Sequence, residues 1–385
     1  NKFPRIYRIS SFEIIKAFNF LSYYILLPLK IYIERKLRIK LLSSKSLNKV
    51  IIRKDRLGDC ILTLPFIYGL KLNEKDLFFV SEILEKIIIQ LNIKCSFRDS
   101  QFLKNDNDLL IANLSTSKIN SFQSSLPKVN KKILFTQLST NPFSKNGIPI
   151  VFEPNYLKNK SQTLFIKNCF KLLNINADPI RGIKYLNRKL ENIVEYKKNN
   201  LLVIVVGLGI DIGRQLKIKT IRDIIQFAKK NSLNPVILEE PNFENKLKAI
   251  ANENNIESKS CRNFLELFIL FKNSRYVIGY DCGPTHIASL LTNSIILFSH
   301  TPCFHWGKHV WHKFIQSKKI ISGKDKIIIT KQLNLGSLKN NWIISYDFKG
   351  CALHKKVCQD NNCSELDEYL IQKAIRSILK DPDYL

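Results

Sequence analysis

The stretch Val50-Ile-Ile-Arg-Lys-Asp-Arg-Leu-Gly-Asp-Cys-Ile-Leu-Thr-Leu-Pro65 decides how the rest of the 385-residue chain is read. Val50, Ile51 and Ile52 predict a buried strand. A polar turn closes at Gly58, and residues 61–70 then carry apolar side chains at helical spacing. Strand, glycine turn and helix together open a βαβ unit, with Asp59 at the entrance of the helix. That position is the C-terminal edge of a parallel sheet, where α/β folds hold their ligands. Asp59 is equally a preferred helix-capping residue, and the spacing leaves both readings open.

A second stretch, Tyr276-Val-Ile-Gly-Tyr-Asp-Cys-Gly-Pro-Thr-His-Ile-Ala-Ser289, repeats the pattern. A strand again ends in a glycine-containing turn, with Asp281, Gly283 and His286 at the start of a helix. Free backbone N–H groups and the helix dipole make such a start a place for phosphate. Gly283 lets phosphate approach the backbone, and His286 is a candidate donor to it. A helix-start histidine also has an ordinary structural use.

Outward from these two stretches the alternation continues. Residues 50–52, 77–80, 109–112 and 133–135 read as buried strands. Residues 136–195 are rich in Asn, Lys, Pro and Ser and read as loops, a helix near 163–173 and a linker. The pattern then restarts, with strands at 201–206, 235–238, 276–278 and 294–298 and helices at 220–230 and 245–252. Strands alternating with helices predict an α/β fold with parallel sheets. Two Rossmann-like halves facing each other across a cleft is the expected architecture, with the boundary near 185–198.

Sixty-one basic against 32 acidic residues leave a formal charge of +29. Such a chain is expected near anions: nucleic acid, an anionic membrane face or phosphorylated substrates. Compositional drift toward Lys, Asn and Ile explains the charge as well as function does. No zinc-finger spacing, aromatic RNA-binding pattern or basic zipper occurs, so no nucleic-acid partner is expected. Nine cysteines, an odd and irregularly spaced set in a chain long enough to bury its own core, point to a reducing compartment.

Residues 1–47 differ from the rest. The apolar, aromatic run 17–29 (AFNFLSYYILLPL) is flanked by Lys and Arg, is short of the ~20 residues of a spanning helix, and contains Pro28. No small-residue cleavage site follows it. It reads either as a helix lying on an anionic membrane surface or as a packed N-terminal helix.

Taken in order, Arg53-x-x-x-Leu57-Gly58-Asp59 and Asp281-x-Gly283-Pro284-x-His286 resemble glycosyltransferase family 9, the heptosyltransferases of lipopolysaccharide synthesis. Cys351, Cys358 and Cys363 before a final helix resemble the family's cysteine-containing tail, so the likeness spans roughly 48–380. The resemblance implies a GT-B architecture and the following division: a basic, aromatic segment 1–47, an acceptor domain 48–190, a nucleotide-sugar domain 191–350 and a tail 351–385. It implies inverting transfer without metal or cofactor, from a nucleotide-diphosphate sugar to a lipopolysaccharide-like or other anionic glycan of the bacterial cell envelope. The place implied is the cytoplasm, in peripheral contact with the inner membrane.

By the same resemblance Asp59 is the base, Arg53 faces the anionic acceptor, and Asp281, Gly283 and His286 form the donor-phosphate turn. The family's diphosphate-binding lysine aligns with Lys217, with Arg214 and Lys219 as competitors, although the family's Trp-Pro pair is missing. Its ribose-binding acid aligns with Glu244, although Glu239 and Glu240 stand where the family often has glycines. These departures leave open a catalytically degenerate protein that binds a nucleotide or glycan without turnover. Cys351, His354, Cys358 and Cys363 could supply zinc ligands, but their spacing is not that of a common zinc module. Residues 207–213 fail the dinucleotide pattern by a late third glycine. The aromatic loop 300–312 either closes the donor cleft or packs into the core.

Overall fold

A computed structural model describes residues 57–70, 82–92, 161–172, 175–193, 200–207, 215–299, 303, 307–322, 325–346 and 368–383, together with the strand backbones between 48 and 151. The first sheet contains β1 (Asn48–Ile52), β2 (Leu77–Val80), β3 (Ser96–Phe97), β4 (Leu109–Asn113), β5 (Lys132–Thr136) and β6 (Ile148–Val151). All are parallel, in the order β3-β2-β1-β4-β5-β6. This is the doubly wound order whose direction reverses between the first and fourth strands.

The second sheet repeats it. Strands β7 (Leu201–Val205), β8 (Asn234–Leu238), β9 (Glu257–Lys259), β10 (Tyr276–Tyr280), β11 (Asn293–Phe298) and β14 (Asn340–Tyr346) run parallel in the order β9-β8-β7-β10-β11-β14. An antiparallel pair, β12 (His312–Ser322) and β13 (Asp325–Asn334), extends this sheet beyond β14. The sequence places no strand after 298. In 313–331 short isoleucine runs are broken by Lys, Ser and Gly, so the segment lacks the long apolar run of a central parallel strand.

The helices are α1 (Leu57–Tyr68), α2 (Glu82–Gln90), α3 (Gln162–Leu172), α4 (Pro179–Glu191), α5 (Ile218–Lys230), α6 (Glu244–Glu253), α7 (Phe264–Asn273), α8 (Gly283–Leu291) and α9 (Glu368–Lys380). The two-residue period of a strand divides β7 between two cores. Leu202 and Ile204 join α5, α6 and α9 on one side, while Val203 and Val205 join α7 and α8 on the other. The latter core also holds Cys60, Ile61 and Leu64 of α1, Ile87 of α2, Phe165 of α3 and Leu186 of α4. Helices from the first half of the chain and from the second thus share one apolar interior. Among the described residues no helix is long and apolar enough to cross a membrane, and the run 17–29 lies outside them.

Helix α4 corrects the reading of its stretch as part of a loop and linker. Asp178 caps it, accepting from the N–H groups of Ile180 (3.0 Å) and Arg181 (3.3 Å). Its buried face packs on α1 through Gly182, where a Cβ would stand 1.8 Å from the carbonyl oxygen of Pro65. On its other side Asn187 donates to the carbonyl of Leu290 in α8 (3.1 Å). The buried Lys272 ammonium of α7 donates to Asn187 Oδ1 (2.8 Å) and Glu191 Oε1 (2.9 Å). The amine is therefore compensated at the point where α4 meets the second half.

Aromatic rings continue that junction. Phe170 stacks on Phe66 (5.5 Å between centroids), Phe66 meets the edge of Trp311 (6.0 Å), and Trp311 stacks on His309 (4.9 Å), which adjoins His312 (4.8 Å). Trp311 is wholly buried and takes the packing alternative for its loop, whereas Trp306 lies outside the described residues. Burial holds the His309 imidazole well below its ordinary pKa, with His312 and His286 adding to the effect. Burial likewise brings His312 down to about 4 despite its hydrogen bond with Gln332.

Two outcomes follow from this packing. Gly182→Ala should lower the free energy of unfolding by about 3 kcal/mol in equilibrium urea denaturation, because its methyl meets backbone rather than a yielding side chain. Lys184→Ala, on the exposed side of the same helix, should change it by less than about 0.5 kcal/mol. His312 is neutral in the folded protein, whereas the unfolded chain takes up its proton near pH 6.5. The stability it carries is therefore present above 6.5 and is lost as pH falls from 6.5 toward 4, by up to about 3 kcal/mol. Urea midpoints across that window should fall more steeply for the wild type than for His312→Asn.

Candidate functional site

Ligands of parallel α/β sheets sit at the carboxyl ends of strands, where the strand order reverses. In the first sheet that point lies between β1 and β4, and α1 is the helix after β1. In the second it lies between β7 and β10, and α8 is the helix after β10. The beginnings of α1 and α8 are in contact. A Cβ at Gly58 would stand 3.3 Å from His286 Cδ2 and 3.7 Å from the Gly283 Cα. A Cβ at Gly283 would stand 2.7 Å from Leu57 Cγ, so glycine is what admits the Leu57 side chain. Two helix N-termini, each the positive end of its dipole, thus meet where both ligand edges open.

The local sequence builds the second half of this site. All five residues of β10 are buried, and Asp281 N–H donates to Leu297 O (2.9 Å), continuing the strand ladder by one residue. Thr285 Oγ1 accepts from the N–H of the capping residue Cys282 (3.1 Å) and donates to Tyr280 O (2.8 Å). Burial pushes the Cys282 thiol up to about 12, so no thiolate competes there. His286 Nε2–H donates to Asp281 Oδ1 (2.9 Å), with both side chains buried. That bond commits Nε2 to Asp281 and leaves Nδ1 as the ring's other hydrogen-bonding nitrogen. Neither His286 Nδ1 nor His309 Nδ1 has a protein partner among the described residues, and the two rings meet edge to face at 5.9 Å.

The sequence candidates fall around this junction unequally. Asp281, Gly283 and His286 come together, but the imidazole N–H is directed at Asp281; the backbone N–H of Gly283 belongs to the open first turn of α8. Asp59 follows Gly58 in the first turn of α1, about 3.8 Å along the backbone from the residue that meets His286. The Asp59 side chain and all of Arg53 lie outside the described residues, as do Arg214, Cys351, His354, Cys358 and Cys363. Lys217 is the exposed capping residue of α5, at the β7 side of the switch point, and Lys219 lies within that helix. Glu244 opens α6 beyond β8 and accepts from Asn242 N–H (3.1 Å).

Two features of the site were not drawn from the sequence. Glu240 Oε1 accepts from the N–H of Gly207 (2.5 Å), tying the end of β8 to the end of β7. Gly207 has φ 83°, a conformation glycine adopts freely. An acid just past the second strand of a βαβ unit is where such folds read a ribose, a signal the sequence did carry. The Asp281–His286 pair was hidden because one partner precedes the helix and the other lies in its first turns, a five-residue separation that helical spacing does not match.

No protein-family model matches the sequence, and no curated protein sequence matches it. Solved structures do match the fold. A glycosyltransferase family 9 protein from Veillonella parvula DSM 2008 superimposes with a TM-score of 0.53 at 11% identity, over 88% of this chain and 99% of its own. The E. coli heptosyltransferase WaaC with ADP gives 0.55 at 12% identity, over 85% and 98%. WaaC with ADP-2-deoxy-2-fluoro heptose gives 0.51 at 12% identity, over 66% and 90%. Twin doubly wound sheets whose ligand edges meet through α1 and α8 are thus the GT-B fold, in the form found in glycosyltransferase family 9 structures.

Proposed function

We propose that this protein is an inverting glycosyltransferase that moves a sugar, heptose being the first candidate, from a nucleotide-diphosphate donor to a lipopolysaccharide-like or other anionic glycan. The observation that carries this reading is the meeting of the α1 and α8 N-termini at Gly58, Gly283 and His286. It joins a carboxylate-bearing turn to an anion-binding turn at one place. Asp59 is the base: as the acceptor hydroxyl attacks the anomeric carbon, its proton passes to the carboxylate. The bond from that carbon to the diphosphate oxygen breaks, and charge grows on the leaving group. The N–H groups of the α8 turn and the Lys217 ammonium stabilise that charge, so the mechanism calls for no metal ion. Asp281 holds His286, and with it the first turn of α8, in place.

Glu244 and Glu240 serve the nucleotide ribose, while Arg53 attracts the anionic acceptor. The chain is divided as its two sheets suggest, into acceptor and donor halves, with 1–47 and 351–385 as additions. Its net charge suits work at the cytoplasmic face of the inner membrane. The donor class is supported by the ADP and ADP-sugar bound to the WaaC structures of the same fold. A second reading, binding without turnover, draws on the Glu240 carboxylate already seated on the Gly207 amide.

The test is a thermal-shift screen against ADP-, GDP- and UDP-sugars, followed by a transfer assay with the donor that stabilises the chain. Asp59→Asn should reduce transfer by at least ~10³-fold while donor affinity changes less than about threefold. Near-normal turnover in that variant would remove Asp59 as base. Donor binding by the wild type without transfer or hydrolysis would favour the second reading.

A further inference from the structure

The β12–β13 hairpin packs one face on the core, while its other face is buried at Gln332 and Asn334 and exposes side chains of β12. On the core face Ile320, Ile327 and Ile329 pack with α9. The strand register puts the other face together: Ile321 opposite Lys326, Lys319 opposite Ile328, Ser317 opposite Thr330 and, past an irregularity between Phe314 and Gln316, Phe314 opposite Gln332. Phe314 is 58% exposed and Ile321 60%, with Ile315 at the irregularity 40% exposed. Large apolar side chains left this open at both ends of one strand contrast with the buried central strands of the same sheet.

The charge around them is of one sign. Residues 312–334 contain Lys313, Lys318, Lys319, Lys324, Lys326 and Lys331 against one acid, Asp325. Of these Lys331 is buried and bonded to Asp383 (2.8 Å), whereas Lys313, Lys318, Lys319 and Lys326 are exposed. β12 is the outermost strand of its sheet, yet the irregularity at 315 and the adjacent lysines blunt it against pairing with another strand. A second copy laid edge to edge would bring like charges together. Nucleic acid would match the positive charge but leave Phe314, Ile315 and Ile321 in water. An anionic bilayer surface suits both features: apolar and aromatic side chains enter the boundary between headgroups and acyl chains, and the positive charge faces lipid phosphates.

We propose that the outer face of the β12–β13 hairpin docks on an anionic lipid surface through Phe314, Ile321, Lys319 and Lys326. The proposal deepens the membrane location given above, but it does not depend on the transfer chemistry or on residues 1–47. Co-sedimentation of the full chain, with neither donor nor acceptor, should show binding to vesicles of 70% phosphatidylcholine and 30% phosphatidylglycerol and little binding to pure phosphatidylcholine. Phe314→Ser/Ile321→Ser and, separately, Lys319→Glu/Lys326→Glu should each lower the bound fraction at least fivefold while keeping the wild-type unfolding midpoint. Wild-type binding in both variants would place the lipid contact elsewhere and overturn the proposal. So would preference for polyuridylate over vesicles, or a concentration-dependent dimer that the same substitutions abolish. Activity measured on a soluble acceptor separates failure here from failure of the transferase reading.

Discussion

Two glycines on different helices, Gly58 and Gly283, meet at the centre of the molecule's candidate site. Helices α1 and α8 meet start to start at Gly58 and Gly283: a Cβ at Gly283 would strike Leu57, and one at Gly58 would press on His286. Without that approach the carboxylate turn after β1 and the anion-binding turn after β10 would be two unremarkable helix beginnings on separate sheets. With it, the switch points of two doubly wound sheets become one place. The dipoles of both helices favour negative charge there.

The rest of the interior maintains this juxtaposition. Helix α4 presses Gly182 against the backbone of α1 and reaches α7 and α8 through Asn187 and Lys272. The aromatic run from Phe170 through Phe66 and Trp311 to His309 ends against His286 itself. Placing neutral histidines in that run costs stability in acid, but it puts no net charge beside the Asp281–His286 pair. Close packing thus lies between the half-sites, where small displacements would matter most to group transfer.

Most strands were legible because central strands of parallel sheets are buried on both faces and read as continuous apolar runs. Leu77–Val80 and Leu201–Val205 were found nearly residue for residue. Helix α4 was not, because Lys, Arg and Asn surround its buried positions and Gly182 weakens the helical signal, although that glycine is what lets it pack on α1. The β12–β13 pair escaped for a different reason: its short Ile runs, broken by Lys, Ser and Gly, look like solvated chain until β14 supplies a neighbour. Within the site, residue types and order were readable, but their pairing was not. That His286 turns to Asp281, and that Glu240 reaches Gly207, depends on directions set by tertiary packing.

The most direct test is a double-mutant cycle across the α1–α8 approach, read by equilibrium unfolding. Leu57→Gly removes all three atoms that a methyl at position 283 would strike, at 2.7, 2.8 and 2.9 Å. If the helix starts are in contact, Gly283→Ala should destabilise the wild type by about 2 kcal/mol or more and cost at least about 1 kcal/mol less in the Leu57→Gly background. Effects that add to within about 0.5 kcal/mol would mean that the two turns do not touch, and the single-site account would be wrong.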